Sequence, residues 1–517
     1  MKRPLQVGSN QLISLGVRRL VPQVDDGLFM SKNIWMKGWL RGLGLHLLRS
    51  LVWASLALCM TTAHSEAPIL ENLSPASTGR VLGLTTGTLS APPATLGLLD
   101  AWRLAIDNDP TLRAAGAGAS AGRERLPQAK SQLLPNISAS AARSNNDVNR
   151  DALDVLGQTV NSRSHYTSKN ETLALRQPIF RQQQRVGIRQ AIYQVEDSEA
   201  LLEREIQNAA VRVASAYFEL MQARDQAQLL ESQSQFLQSR LTAASRAIAS
   251  GTGTRTDLDD AQVRFDLNRA QRLEATQAIQ ARRRQLQAIV NRPIGELSLL
   301  DPGRLDLAPP TPATAEAWVL LAIDGSPELR SARARLDAAT EEVNRAQAGH
   351  YPTVDAIVQW QRSRNEVVTQ PQTGYSNSSI GLQVNLPLYS GGFTESTVRE
   401  ARAQQVKFSE LLEATQLDLG VRVQTEFNAI TEGIDRIKAL EVAARSAEVA
   451  LDSARKSVLA GVRSSLDVLN AQQQRVQVLS VLAQARYGLL LARVRLLSLV
   501  GQIDESAFAQ IGESLRQ

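Results

Sequence analysis

Cysteine occurs once in the 517 residues, at Cys59, which excludes disulfides and thiol chemistry from most of the chain. Histidine is nearly as scarce. Past residue 65 only His165 and His350 remain, with no repeated carboxylate–histidine spacing, so neither a metal nor another cofactor is expected. Aromatic residues make up 4 %, thin for a compact enzyme of this length but ordinary for long helices rich in Ala, Leu and Gln. An excess of one charge is missing too. Residues 1–65 hold eight of the 57 Lys/Arg and two of the 51 Asp/Glu, which leaves 49 of each beyond them and no basic patch for nucleic acid. Beyond residue 66 no apolar run reaches the roughly 20 residues of a membrane-crossing helix. The best, residues 489–500, is broken by Arg493 and Arg495. Gly251-Thr252-Gly253 lacks a P-loop lysine and follows a helical stretch instead of a strand, so it is no phosphate cradle. With no catalytic constellation left, an enzyme is not expected.

What is present begins with a targeting pattern. Lys37, Arg41 and Arg49 precede the apolar run 51–60, and Ala63-His64-Ser65 is a small-x-small cleavage site before Glu66. Residues 1–65 read as a targeting segment with a signal peptide (Met30 and Met36 are alternative starts), and residues 66–95 as a low-complexity linker. The run is too short for an inner-membrane anchor. Leu58, ahead of Cys59, is not the small residue that a lipoprotein cleavage site needs. An exported chain without a spanning helix is soluble in the periplasm, secreted, or an outer-membrane β-barrel.

The chain also repeats itself. "DPTLRAA" from Asp109 is matched by "SPELRSA" from Ser326, each setting a capping side chain before a proline at the first helical position. "LLPNISA" from Leu133 is matched by "HYPTVDA" from His350, and "LALRQPIF" from Leu173 by "LQVNLPLY" from Leu382. "GTGTRTDLDDA" from Gly251 is matched by "GVRSSLDVLNA" from Gly461. One unit, helix, strand, loop, strand, very long helix, turn, helix, thus occurs twice. It spans residues 96–300 and 316–505, with a Pro-rich linker at 301–315 and a tail at 506–517.

Strands are expected near 134–144, 168–180, 352–363 and 376–389. Ile380, Leu382, Val384, Leu386 and Leu388 alternate with Gly381, Gln383, Asn385 and Pro387. Val354, Ala356, Val358 and Trp360 alternate with mostly polar residues, and Leu173, Leu175 and Ile179 do so more weakly. Such alternation suits a barrel strand, apolar outward and polar inward, and equally a half-buried strand of a soluble sheet. Tyr166, Tyr351, Tyr375 and Tyr389, read as strand-end girdle residues, favour the barrel, and residues 144–165 and 364–374 read as polar outward loops. Residues 181–248 and 392–460 contain no proline, enough for helices on the order of 100 Å. A four-three seam through Val478, Leu482, Ala485, Leu489, Ala492, Leu496 and Leu499 is coiled-coil packing.

Four strands cannot close a barrel, for which roughly eight are the minimum, and an open sheet in lipid strands its edge groups. If the strands enter a membrane, copies must share the barrel. The "PLYSGG" junction from Pro387, the "LLP" strand entry and the twin glycine-to-aspartate turns resemble the TolC family of outer-membrane channel-tunnels over roughly residues 96–505. The fold expected is an α+β membrane protein of two tandem strand–strand–long-helix–helix repeats. A shared outer-membrane β-barrel with four strands per chain would continue into a periplasmic α-helical coiled-coil barrel. The resemblance implies a homotrimer in outer-membrane lipid. It also implies a periplasmic adaptor and an inner-membrane partner, an ABC transporter or a proton-driven pump, exporting proteins or small toxic compounds. A missing lipid-attachment cysteine leans towards type I protein secretion. The alternative is a periplasmic coiled-coil adaptor, which would have one hairpin and a lipoyl-like β module.

Carried over residue by residue, the resemblance makes Asp467 the aspartate of a cation-selective ring at the tunnel's closed tip. Asn470 falls where the family has a second ring acid. Asp257 becomes a gate-link acceptor, Arg463 a donor, and Val458 replaces an aromatic link residue. The turn residues Gly251, Gly461 and Ser464 fall where the adaptor docks. For Asp257 and Asp467 an alternative stays open, a charge that complements the helix dipole.

Overall fold

The computed structural model describes residues 95–153, 156–365, 373–513 and 515–516; the targeting segment, its cleavage site and nearly all of the 66–95 linker lie outside these. In chain order, β1 (Thr95–Leu96) leads into α1 (Leu98–Asn108), α2 (Pro110–Arg123) and α3 (Arg125–Ser131). A hairpin of β2 (Asn136–Leu153) and β3 (Thr159–Phe180) follows, then α4 (Gln182–Ala249) and α5 (Arg255–Val290). After the short β4 (Glu296–Leu297) and β5 (Leu299–Leu300) the plan recurs. It runs through α6 (Ala315–Gly325), α7 (Pro327–Gln347), β6 (Thr353–Arg364), β7 (Gly374–Asn385), α8 (Phe393–Leu459) and α9 (Ser465–Val500). The chain closes with α10 (Glu505–Gly512) and β8 (Leu515–Arg516).

The capped prolines set the helix starts unequally. Asp109 Oδ1 accepts from the Thr111 amide at 2.9 Å, with Pro110 opening α2 where no N–H is needed. Ser326 precedes Pro327 in the same way, yet its side chain makes no capping bond. With 68 and 67 residues, α4 and α8 each run about 100 Å. Two shorter helices laid end to end cover each of them. Along α4, α7 is tied by Arg189–Glu341 and Arg335–Asp197, and α5 by Arg272–Glu231 and Arg282–Glu219. Along α8, α7 gives way to α9, tied by Arg475–Glu448 and Arg486–Glu441.

Between the two ends lies the main core, where Tyr217, Leu220 and Met221 of α4 meet Leu286 of α5, Ile430 of α8 and Val494 of α9. The expected seam on α9 is only part of its packed face. Leu482, Leu489, Ala492 and Leu496 are buried, but so are Tyr487, Leu490 and Val494, because α4 and α6 press on α9 as well as α8 does. Within residues 506–517 the Phe508 ring stacks on Trp102 at 5.0 Å and 7° and is part of this core, and β8 pairs with β5.

The strands form one antiparallel sheet in the order β2–β3–β6–β7. Residues 144–165, read as a loop, are mostly strand: β2 and β3 stay in register out to Leu153 and Thr159. Polar cross-strand pairs hold this extension in place of apolar ones, including Ser144 with Ser168 (2.7 Å), Thr167 with Asn145 (2.9 Å) and Arg163 with Asp147 (2.6 Å). Part of the 364–374 loop falls outside the described residues. At the other end β7 stops at Asn385, short of the expected 389, because Pro387 has no N–H to give a ladder.

Asp109 yields a test of the core's periphery. Burial works against its charge, but bonds from Thr111 and Arg212 (2.9 Å) prevail and hold the carboxyl below its ordinary value. A depressed carboxyl stabilises the fold above its unfolded pKa and loses that contribution as pH falls through the folded value. Asp109→Ala should therefore cost about 2–3 kcal/mol at neutral pH, by losing a cap and a buried partner of Arg212. Thermal unfolding in detergent should show the gap between variant and wild type closing as the medium is acidified below pH 4.

Candidate functional site

The sheet sorts its side chains by chemistry. Ile137, Leu175, Val358 and Ile380 form one row across all four strands, and Ala139, Leu173, Trp360 and Ser378 the next. Ile380, Leu382 and Val384 are 65–72 % exposed, apolar surface that a single chain leaves uncovered. The opposite face carries the rows Ser138, Ala174, Gln359, Ser379 and Ser140, Thr172, Gln361, Asn377. At its base, buried Asp355 accepts from Arg176 (2.5 Å) and Arg181 (2.7 Å), which ties β6 to β3 and to the start of α4. The aromatic expectation is corrected by register. Tyr166 lies within β3 and Tyr375 shares a row with Asn170 and Ser363, so both belong to the polar face; Trp360 and Phe180, which shares a row with Val354 and Val384, are aromatics on the apolar one.

Far from the sheet, the two turns are built alike. Gly251 and Gly461 adopt φ of 75° and 74°, a left-handed conformation that glycine takes without strain. The following amides, of Thr252 and Val462, reach back to Ala247 (2.9 Å) and Ser457 (3.0 Å), closing both long helices with the same motif. Thr254 and Ser464 then cap α5 and α9. Asp257 accepts from the Thr254 hydroxyl at 2.6 Å, and Asp467 from the Ser464 amide and hydroxyl, both at 3.0 Å. Both aspartates thus occupy helix N-termini, where the dipole favours their charge.

Other expected neighbours are apart. Among the described residues Asp257 and Arg463 make no ion pair, and Arg463 is exposed. Val458 packs in a small apolar cluster with Phe236, Leu451, Ala454 and Val468, which joins α4 to α8 and α9 near the turns. Arg240 and Arg455 both lie over the Phe236 ring, at 5.3 and 5.5 Å. Asn470 is engaged by a residue that sequence reasoning missed. Arg264 of α5 donates to Asn470 at 2.8 Å and to Gln473 at 2.8 Å, a fork joining the two hairpins. Repeat matching offers no signal for it, because Gln474 stands at the matching place in the second unit. Among the described residues no group of side chains could hold a metal, and no helix is long and apolar enough to cross a membrane.

A family profile described as "Outer membrane efflux protein" matches residues 101–292 and 318–502, one segment in each repeat. The alkaline protease secretion protein AprF of Pseudomonas aeruginosa is 32 % identical over 414 residues, 80 % of this chain and 85 % of that one. The proteases secretion protein PrtF of Dickeya chrysanthemi is 29 % identical over 436 residues, 83 % and 93 % of the two chains. The crystal structure of the outer membrane protein VceC from Vibrio cholerae superposes with a TM-score of 0.66 at 20 % identity, over 78 % of this chain and 96 % of that one, a likeness of fold. The adaptor alternative is set aside by these matches to both repeats.

Arg264 gives a direct check on how the hairpins are joined. Arg264→Ala should speed amide exchange around residues 255–275 and 465–480 several-fold, with the core part of α9 unchanged. Unaltered exchange there would show that the fork does not hold the hairpins together.

Proposed function

Since the chain belongs to the outer membrane efflux protein family, and so is an outer-membrane export duct, we propose that three copies share one twelve-stranded barrel and one helical tunnel. The observation that carries this is the sheet itself. Its edges, β2 and β7, have no second partner strand among the described residues, and one face is mostly apolar from the Val384 row to the Trp360 row. In hydrocarbon each unpaired edge group costs several kcal/mol. Pairing β2 of one copy with β7 of the next removes every edge, and twelve strands leave the polar face lining water.

The cargo we propose is protein. Two relatives carry protease secretion in their names, and Leu58 is unsuited to lipid attachment at Cys59. An inner-membrane transporter would supply the energy through a periplasmic adaptor that meets the turns around Gly251, Gly461 and Ser464. The chain itself contributes a passage and no catalysis. At the tip, copies of Asp467 would converge into a ring that concentrates cations. Their capping boxes fix these carboxylates at the start of α9. Asp257 and Arg463, which make no ion pair among the described residues, would link neighbouring hairpins when copies assemble. Val458 adds only packing there, which makes for a loose latch.

Mass measurement in detergent should give three chains, and cysteines placed on β2 and β7 should cross-link between copies; a stable monomer without detergent would refute the shared barrel. In planar bilayers Asp467→Asn, which retains a capping acceptor, should move the reversal potential most of the way to the unselective value. Asn470→Asp should add little selectivity by itself, because Arg264 stands 2.8 Å from that position and would pair with the new charge.

A further inference from the structure

The apolar face of the sheet changes character abruptly. Two residues beyond the Trp360 row come Ala141, Glu171, Arg362 and Ser376, and two further on Arg143, Lys169, Arg364 and Gly374. All keep the parity of Ile137, Leu175, Val358 and Ile380, so they project from the same face. Four cations and one acid therefore stand on the side of the sheet that meets lipid. Lys169, Glu171, Arg362 and Arg364 line a common recess. None of these side chains forms an ion pair among the described residues, whereas arginines along the helices are paired repeatedly.

Their depth follows from strand geometry. Within β7 the outward positions from Val384 to Ser378 span six residues, about 14 Å at ~3.4 Å per residue and a tilt of ~45°, and the exposed Leu386 and Leu388 carry the apolar surface on past the strand's end. The two cationic rows then stand about 5 and 10 Å above that surface. They lie at the hairpin end of the strands, away from the long helices, hence at the outer leaflet. A lysine or arginine on the lipid face costs little at that depth, but four of them clustered around one glutamate repel each other unless an anion neutralises them.

We infer that Arg143, Lys169, Arg362 and Arg364 form a binding site for the phosphorylated headgroup of an outer-leaflet glycolipid. The acyl chains would lie along the apolar rows beside Trp360, and the phosphates would sit in the recess. Guanidinium groups suit this ligand, since they bind phosphate oxygens in bidentate fashion. Glu171 tempers the site, keeping its net charge below that of the four cations. The site rests on the outer-membrane reading of the sheet and adds to it a particular lipid.

The test uses the full-length protein in detergent and native mass spectrometry with bis-phosphorylated lipid A, its dephosphorylated form and phosphatidylglycerol. The phosphorylated glycolipid should bind at least about tenfold more tightly than either of the others. A Lys169→Ser, Arg362→Ser, Arg364→Ser triple variant should lose that preference while keeping its oligomer mass and conductance, and Glu171→Gln should strengthen it. Equal binding of the phosphorylated and dephosphorylated forms would overturn the site. So would equal binding of phosphatidylglycerol, or displacement of the glycolipid by millimolar inorganic phosphate. If the triple variant does not assemble, Glu171→Gln and Arg364→Ser alone decide. A chain that forms no bilayer-inserted oligomer would instead fail the barrel reading, which distinguishes the two failures.

Discussion

In hydrocarbon a backbone amide or carbonyl without a partner costs several kcal/mol, and lipid offers it no substitute for water. That penalty governs how this chain has to be used. It supplies a sheet of four strands, two of them open edges, with an apolar face too large for an isolated molecule. Among the described residues neither defect is mended from within, because the other strands are two-residue pairs, β1 with β4 and β5 with β8, and the long elements are helices. The helices in turn satisfy their own backbones, which frees their length to span an aqueous space. One sequence thus divides its hydrogen bonding between two solvents, and the Asp355–Arg176–Arg181 cluster ties the strand part to the helical part at their boundary.

Duplication makes this economical. Each long helix needs partners along its whole length, and no single short helix reaches that far. The repeats solve this by sharing α7, which lies beside both α4 and α8. The two turns at the far end are built by the same sequence of steps, a left-handed glycine, a hydroxyl cap and a third-position aspartate. What differs between them is how they join. Phe236 and Val458 meet on one side and Arg264 with Asn470 on another, so the turns are held within the chain by packing and by hydrogen bonds from one guanidinium to side-chain amides.

Much of the architecture was legible in the sequence, for reasons that also explain the omissions. The second hairpin's alternation could be read because one face must be apolar. The outer half of β2 and β3 is polar on both faces, so only cross-strand pairing, invisible in one dimension, marks it as strand. Helix α10 has eight residues, too few to show a period, and its role is set by a partner four hundred residues away. At the turns, spacing located the glycines and aspartates, and capping geometry was among the readings left open. The Arg264 fork needed the two hairpins side by side, since nothing in either repeat announces it.

The stacking of Phe508 on Trp102, with β8 laid against β5, gives the last residues of the chain a place among its first described helices. The core between sheet and turns therefore draws on Phe508 of α10 as well as on the first described helices. A chain cut short before residue 508 keeps the four-stranded sheet and both long helices, yet it loses β8 and leaves the buried Trp102 without its ring partner.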